Sequence, residues 1–251
     1  MVLALAGALS VLQAEATCLA RSGPRTVALV ELYTSKGCSS CPPADRWLSG
    51  LAERYSPGQL VPLALHVDYR DYVGWEDPYA KREFSQRWRR LSQLQRAALV
   101  YTPQVLLQGV DFRQWDGAEF DRAVARINRQ PARASLELEI TAIRAAALGL
   151  RASATVFEPV NRTDAALYVA AYENRLESRI TTGENPGRVL HQDYVVLEWR
   201  GPFALGERKL ELALLPKAQS VDSGVAAFVQ NRRTGEVLQA LSLAACTLGA
   251  F

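Results

Sequence analysis

The chain has 251 residues, 49% of them apolar and 22% charged, with a formal net charge of +3. That length favours two modest domains, and the composition is that of a globular protein able to bury a core rather than a disordered or fibrous one. Charges of both signs are interspersed without a basic block or stripe, so nucleic acid is not an expected partner.

Val2–Leu12 is apolar and leads into Ala14-Glu15-Ala16, a small-x-small cleavage pattern. Residues 1–16 therefore read as a signal peptide, although a charged leading region is missing. The stretch is shorter than the roughly 20 apolar residues needed to span a bilayer, so no stable membrane span is expected in the mature chain. A periplasmic or secreted location follows. In an oxidising compartment the four cysteines, Cys18, Cys38, Cys41 and Cys246, point to disulfides.

Val27–Tyr33 is apolar except for Glu31, as in a strand buried on both faces. Cys38-Ser39-Ser40-Cys41 follows, then an amphipathic helix with Trp47, Leu48, Leu51, Ala52 and Tyr55 at helical spacing, ended by Ser56-Pro57-Gly58. Leu60–Val67 is the next strand, parallel to the first across a right-handed crossover. Residues 68–98 form an insertion, rich in aromatic and acidic residues at its start and helical from about Tyr79 to Arg90, with a second helical piece ending near Val100. Ordered segments of this kind tend to cover a site. The basic cluster Lys81-Arg82 through Arg87-Trp88-Arg89-Arg90 reads as a solvated helix face. Thr102-Pro103 then precedes the strand Gln104–Leu107, and Gly117–Asn128 is a closing helix.

Gln130-Pro131-Ala132 marks the expected boundary between residues 17–131 and residues 132–251. Beyond it come runs of strand character, among them Ser135–Ile140, Leu150–Phe157, Ala166–Asn174, Arg188–Trp199, Lys209–Leu215, Val225–Gln230 and Val237–Leu243, with a hairpin turn at Arg233-Thr234-Gly235-Glu236. The expected fold is an α/β thioredoxin-like domain with a helical insertion, followed by an all-β, sandwich-like C-terminal domain.

Strand, Cys-x-x-Cys, then helix is the arrangement of a thioredoxin-like redox site. Free backbone N–H groups and the positive end of the dipole at a helix start favour a thiolate, which lowers such a cysteine's pKa to between about 3.5 and 7.5. Cys38 is the candidate attacking thiolate and Cys41 the resolver. Pro103 is the candidate cis proline, leaving the Thr102 backbone to pair with an extended substrate. Glu31, a lone acid in a buried strand, is a candidate proton acceptor for the resolving thiol. Tyr72 and Trp75 are candidate substrate contacts, with a core or covering role as the alternative. His66 and Asp68 end the second strand and could join the two cysteines in a copper or zinc site, or His66 could simply be packed. His191 reads as structural. Cys18 and Cys246 remain to close a structural bond between the ends of the mature chain, worth about 4–5 kcal/mol in the chain-entropy model.

The stretch from Glu31 to Trp47, with Gly37-Cys38-Ser39-Ser40-Cys41-Pro42-Pro43-Ala44-Asp45 at its centre, resembles a bacterial family of secreted, thioredoxin-like proteins catalogued as a domain of unknown function. The likeness continues in His66-Val67-Asp68 with Tyr72 and Trp75, in Tyr101–Gln104, in Gly183-Glu184-Asn185 with His191, and in the last two strands. What it implies is a fold and a compartment, not a reaction. The expected function is thiol–disulfide exchange by a Cys38–Cys41 pair with protein thiols and disulfides as partners and no cofactor. The alternative is a metal-handling, copper-capturing or partner-binding protein without turnover.

Overall fold

The computed structural model describes residues 18–97, 99–144, 146–214 and 222–246. The segment read as a signal peptide lies outside them. The first half contains β1 (Leu19–Arg21), β2 (Ala28–Thr34), α1 (Pro42–Ser49), β3 (Leu60–His66), α2 (Arg82–Leu94), β4 (Gln104–Leu107), β5 (Val110–Asp111) and α3 (Ala118–Arg129). Then come β6 (Ala134–Arg144), β7 (Ala147–Val156), β8 (Ala165–Glu173), β9 (Leu176–Arg179) and β10 (Val189–Gln192). The last strands are β11 (Val195–Phe203), β12 (Gly206–Ala213), β13 (Ser223–Asn231) and β14 (Val237–Ala244).

One mixed sheet of eight strands, in the order β14-β13-β8-β11-β3-β2-β4-β5, runs through both halves of the sequence. The junction is β11, parallel to β3 at Val195 opposite Ala64 and antiparallel to β8 on its other side. β2 and β3 are parallel from Ala28–Leu60 to Thr34–His66. The sheet curls until β14 reaches the start of β2, where two glutamine side chains stand in for missing strand partners. Gln239 Oε1 accepts the Val27 N–H at 2.8 Å, Gln108 Oε1 accepts the Leu29 N–H at 2.8 Å, and Gln108 Nε2 donates to the Val237 carbonyl at 3.2 Å. Buried backbone groups left unpaired are costly, so these amides complete the closure.

Strand alternation sends each residue of β2 to one of two cores. Leu29 and Tyr33, with Val27 just before the strand, face inward with Phe84, Trp88 and Leu91 of α2, Tyr168 and Tyr172 of β8, and Phe228 of β13. Ala28, Val30 and Leu32 face outward beneath α1 and α3, against Leu48, Leu51, Phe120 and Val124. The outward faces of β8, β13 and β14 pack instead on a second, four-stranded sheet, β1-β6-β7-β12.

This architecture corrects the expectation of an α/β thioredoxin-like domain followed by an all-β, sandwich-like domain. Strands predominate, and β8 and β13, read as sandwich strands, are buried at every position because they are central strands of the sheet that also holds β2 and β3. Among its described residues the insertion carries a single α-helix, α2, preceded by a short 3₁₀ segment over Asp68–Val73. The basic cluster does not form one solvated face. Arg82, Arg89 and Arg90 are exposed, but Arg87 turns inward and pairs with Glu31. No helix among the described residues is long and apolar enough to cross a membrane.

Candidate functional site: a covered disulfide

β2 ends at Thr34, and Ser35-Lys36-Gly37 carries the chain to Cys38 beyond the C-terminal end of this central strand. The Cys38 N–H donates to Ser35 O at 3.1 Å and the Cys41 N–H to Cys38 O at 3.3 Å, winding the chain into the start of α1. Pro42 and Pro43 occupy the first positions of α1, where a missing N–H costs no intrahelical bond. Cys38 and Cys41 are joined in a disulfide with Cα atoms 5.5 Å apart. Cys38 sulfur lies 3.3 Å from Ser40 Oγ and 3.8 Å from the Thr102 carbonyl oxygen. The Thr102–Pro103 bond is cis, and the Thr102 hydroxyl is hydrogen-bonded to Tyr69. Cys38, Cys41, Thr102 and Pro103 thus come together.

The disulfide is covered. Cys38 is 1% exposed and Cys41 is fully buried, whereas Ser39 and Ser40 between them are exposed. One cover is the segment 68–79. Val73 Cγ2 would stand 3.1 Å from a Cβ at Gly37, with Trp75 O at 3.3 Å, so a side chain at 37 would press against this segment. The other cover is the loop 180–188 between β9 and β10. Asn185 Nδ2 donates to Lys36 O at 2.9 Å and Cys38 O at 3.0 Å, while Arg188 fixes Asn185 Oδ1 at 2.9 Å. Glu184 Oε2 accepts from the Ser39 N–H and hydroxyl, both at 2.9 Å, and Thr182 Oγ1 donates to Gly74 O at 2.6 Å, tying the two covers together. Trp75 packs against Gly183 within the cover. Tyr72 is 75% exposed on its outer side, beside Arg70.

Behind the disulfide lies a buried charged group. Lys36 is fully buried, its ammonium 4.0 Å from the centre of the Tyr79 ring and hydrogen-bonded to Ser178. Burial lowers its pKa to about 8 against the opposing attraction of Asp77 and Asp45. Asp77 Oδ2 accepts from the Lys36 N–H and pairs with His66 Nδ1, each at 2.7 Å, and its Oδ1 accepts the Tyr79 N–H at 3.0 Å. Burial pushes the Asp77 carboxyl up, but His66 and these N–H donors outweigh it and hold the pKa at about 2. Asp45, in the first turn of α1, accepts from Thr34 Oγ1 at 2.7 Å and from Gln192 Nε2 at 3.4 Å, and its carboxyl is raised by burial.

Several expected site residues lie elsewhere. Glu31 shares the inward face of β2 with Tyr33, so it is on the opposite side of the sheet from α1, held by Arg87 Nε at 2.7 Å and Nη2 at 3.0 Å. That parity corrects its expected role beneath the cysteines. Asp68 is hydrogen-bonded to Ser85 of α2, and His66 uses Nδ1 on Asp77, its Nε2 being buried without a partner. Among the described residues no three His, Cys, Asp or Glu side chains are grouped so as to hold a metal ion. His191 is exposed beside Glu177. Cys18 and Cys246 are disulfide-bonded, with Cα atoms 5.8 Å apart. Asp77, Asn185 and Glu184 carry the site yet have no spacing signal to the cysteines in sequence, although Gly183-Glu184-Asn185 stands among the residues of the family resemblance.

The chain belongs to the family described as "Protein of unknown function (DUF1223)", whose profile matches residues 29–230. No curated protein matches it. Among solved structures it is similar to protein AGR_C_4864 from Agrobacterium tumefaciens, at 22% identity and a TM-score of 0.61, over 92% of this chain and 99% of that one. It is also similar to HBP35 of Porphyromonas gingivalis, at 15% identity and a TM-score of 0.64, over 89% of this chain and 76% of that one. At these identities the likeness is one of fold.

Proposed function

We propose that the protein is an extracytoplasmic thiol–disulfide exchange protein and that Cys38–Cys41 is its redox pair. The observation that carries this reading is the placement of the pair at the start of α1, beyond the C-terminal end of the central strand β2, with Cys38 sulfur beside the Thr102 carbonyl. In the reduced protein the helix start favours the Cys38 thiolate. That thiolate attacks one sulfur of a substrate disulfide, forming a mixed disulfide and releasing the other half as a thiolate that takes up a proton. Cys41 then gives up its proton and attacks Cys38 sulfur, which closes Cys38–Cys41 and releases the second thiolate. Two electrons pass from the protein to the substrate, and the reverse sequence oxidises a substrate dithiol. The Thr102 carbonyl, 3.8 Å from Cys38 sulfur and followed by the cis Pro103, would lie beside a bound substrate. A second disulfide, Cys18–Cys246, and the leader-like Met1–Ala16 support the oxidising compartment.

Trapping tests the order of attack. Cys41→Ser, expressed with its leader, should accumulate mixed disulfides through Cys38 that reductant dissolves, whereas Cys38→Ser should accumulate few. Equal trapping by both variants, or none by either, would contradict the assignment of Cys38 as the attacking sulfur.

A further inference from the structure

Resting on the exchange reading above, we propose that the preferred substrate of the Cys38–Cys41 pair carries a carboxylate close to its reacting sulfur, and that Glu184 occupies the seat of that carboxylate in the closed protein. Three donors converge on Glu184. Its Oε2 takes the backbone N–H and the hydroxyl of Ser39, both at 2.9 Å, and its Oε1 takes Arg70 Nη2 at 2.8 Å. Ser39 is the residue next to Cys38, so the seat adjoins the attacking sulfur. These bonds, those of Ser39 foremost, lower the Glu184 carboxyl below its ordinary value. The Nε of Arg70 is buried without a partner, which leaves the guanidinium with a donor that Glu184 does not use.

Exchange requires this contact to open. Cys38 is 1% exposed, and a disulfide sulfur must approach it in line with the bond being broken. The two loop residues that grip the cysteine turn differ in kind. Asn185 is buried and holds two main-chain carbonyls, so it anchors the loop. Glu184 is at the surface, and a surface ion pair is weakly held and screened by salt. Glu184 is therefore the part that can swing out at small cost. When it leaves, Ser39 and Arg70 lose their acceptor. A substrate carboxylate restores all three bonds, whereas a neutral or cationic substrate leaves them to water.

The experiment uses the reduced full mature chain and three disulfides of similar size: 3,3′-dithiodipropionate (anionic), 2-hydroxyethyl disulfide (neutral) and cystamine (cationic). Each rate is divided by that of the same disulfide with free dithiothreitol, which removes intrinsic reactivity. The anionic compound should react roughly tenfold faster than the neutral one, as charge-assisted bonds in the seat allow. That ratio should fall towards one in Arg70→Gln and at high salt, and Glu184→Ala should speed the neutral compound. A parallel pair of disulfide-linked peptides with Glu or Gln beside the cysteine separates sources: a preference shown by the peptides as well points to acidic polypeptides, and one confined to the small acid points to a small carboxylate substrate. Equal normalised rates in the unaltered protein, or a preference that survives Arg70→Gln, would overturn the inference while leaving exchange intact. Failure of all three disulfides to react would overturn the exchange reading itself.

Discussion

Two buried carboxylates, Glu31 and Asp77, set what single residues can do here. Glu31 and Arg87 form a two-pronged pair inside the curled sheet, and the guanidinium lies 4.7 Å from the Trp199 ring centre, 5.1 Å from Phe228 and 5.2 Å from Tyr168. Removing one partner of such a pair strands a charge in apolar surroundings. Arg87→Met should therefore cost about 3–5 kcal/mol, read as a lower denaturant midpoint, and adding Glu31→Leu should recover most of it. If Arg87→Met unfolds at the same midpoint as the unaltered protein, the pair is not a structural element. Asp77 makes a pH-dependent contribution. Its folded pKa of about 2 lies below the unfolded value of 3.8, so the contribution is fully present above pH 4 and is lost as pH falls from about 4 to 2. The loss amounts to roughly 2 kcal/mol, by the equivalence of one pKa unit to about 1.4 kcal/mol. Asp77→Asn should flatten that part of the stability–pH curve, and an unchanged slope would show that other carboxylates govern it.

Among the elements, the decisive contact is between the turn that carries Cys38 and the loop between β9 and β10. Asn185 satisfies the carbonyls of Lys36 and Cys38 with one amide. Asn185→Ala leaves both without that partner and should cost about 1–3 kcal/mol. It should also speed reduction of Cys38–Cys41 by dithiothreitol, because the cover is held less tightly. Unaltered reduction kinetics would show that this loop does not control access. Much of the site's near side was legible in sequence: the strand before Cys38, the helix after Cys41, and Thr102-Pro103 beside them all follow from local pattern. The far side was not, because Glu184 and Asn185 lie about 145 residues further along the chain and reach the turn only through the tertiary fold. Glu31 misled for a related reason. Its burial could be read from its neighbours, but which face it took depended on the strand's register against α1 and α2.

At the scale of the molecule, local strand patterns in the second half were legible and their assembly was not. β8 turns Ala165, Leu167, Val169 and Ala171 toward the four-stranded sheet and Ala166, Tyr168, Ala170 and Tyr172 toward the core that holds α2, yet the same run suits a sandwich strand when read alone. The parallel β3–β11 pairing that unites the halves joins residues 131 positions apart, Ala64 and Val195, and leaves no local trace. The ends of the described chain are joined by Cys18–Cys246, 228 residues apart. Cys18→Ser should lower thermal stability by up to about 5 kcal/mol in the chain-entropy model. It should leave exchange at Cys38 unchanged, because the bond sits in the outer core between the two sheets. Loss of exchange in a folded Cys18→Ser protein would show that the two disulfides are coupled. The most direct measurement is a redox titration of the folded protein in glutathione or dithiothreitol buffers, with Cys38 and Cys41 quantified by alkylation and mass spectrometry. A redox pair is expected to titrate reversibly, as a two-electron couple between roughly −270 and −120 mV, with the fold retained throughout. A Cys38–Cys41 bond that opens only when the protein unfolds would contradict the proposed function.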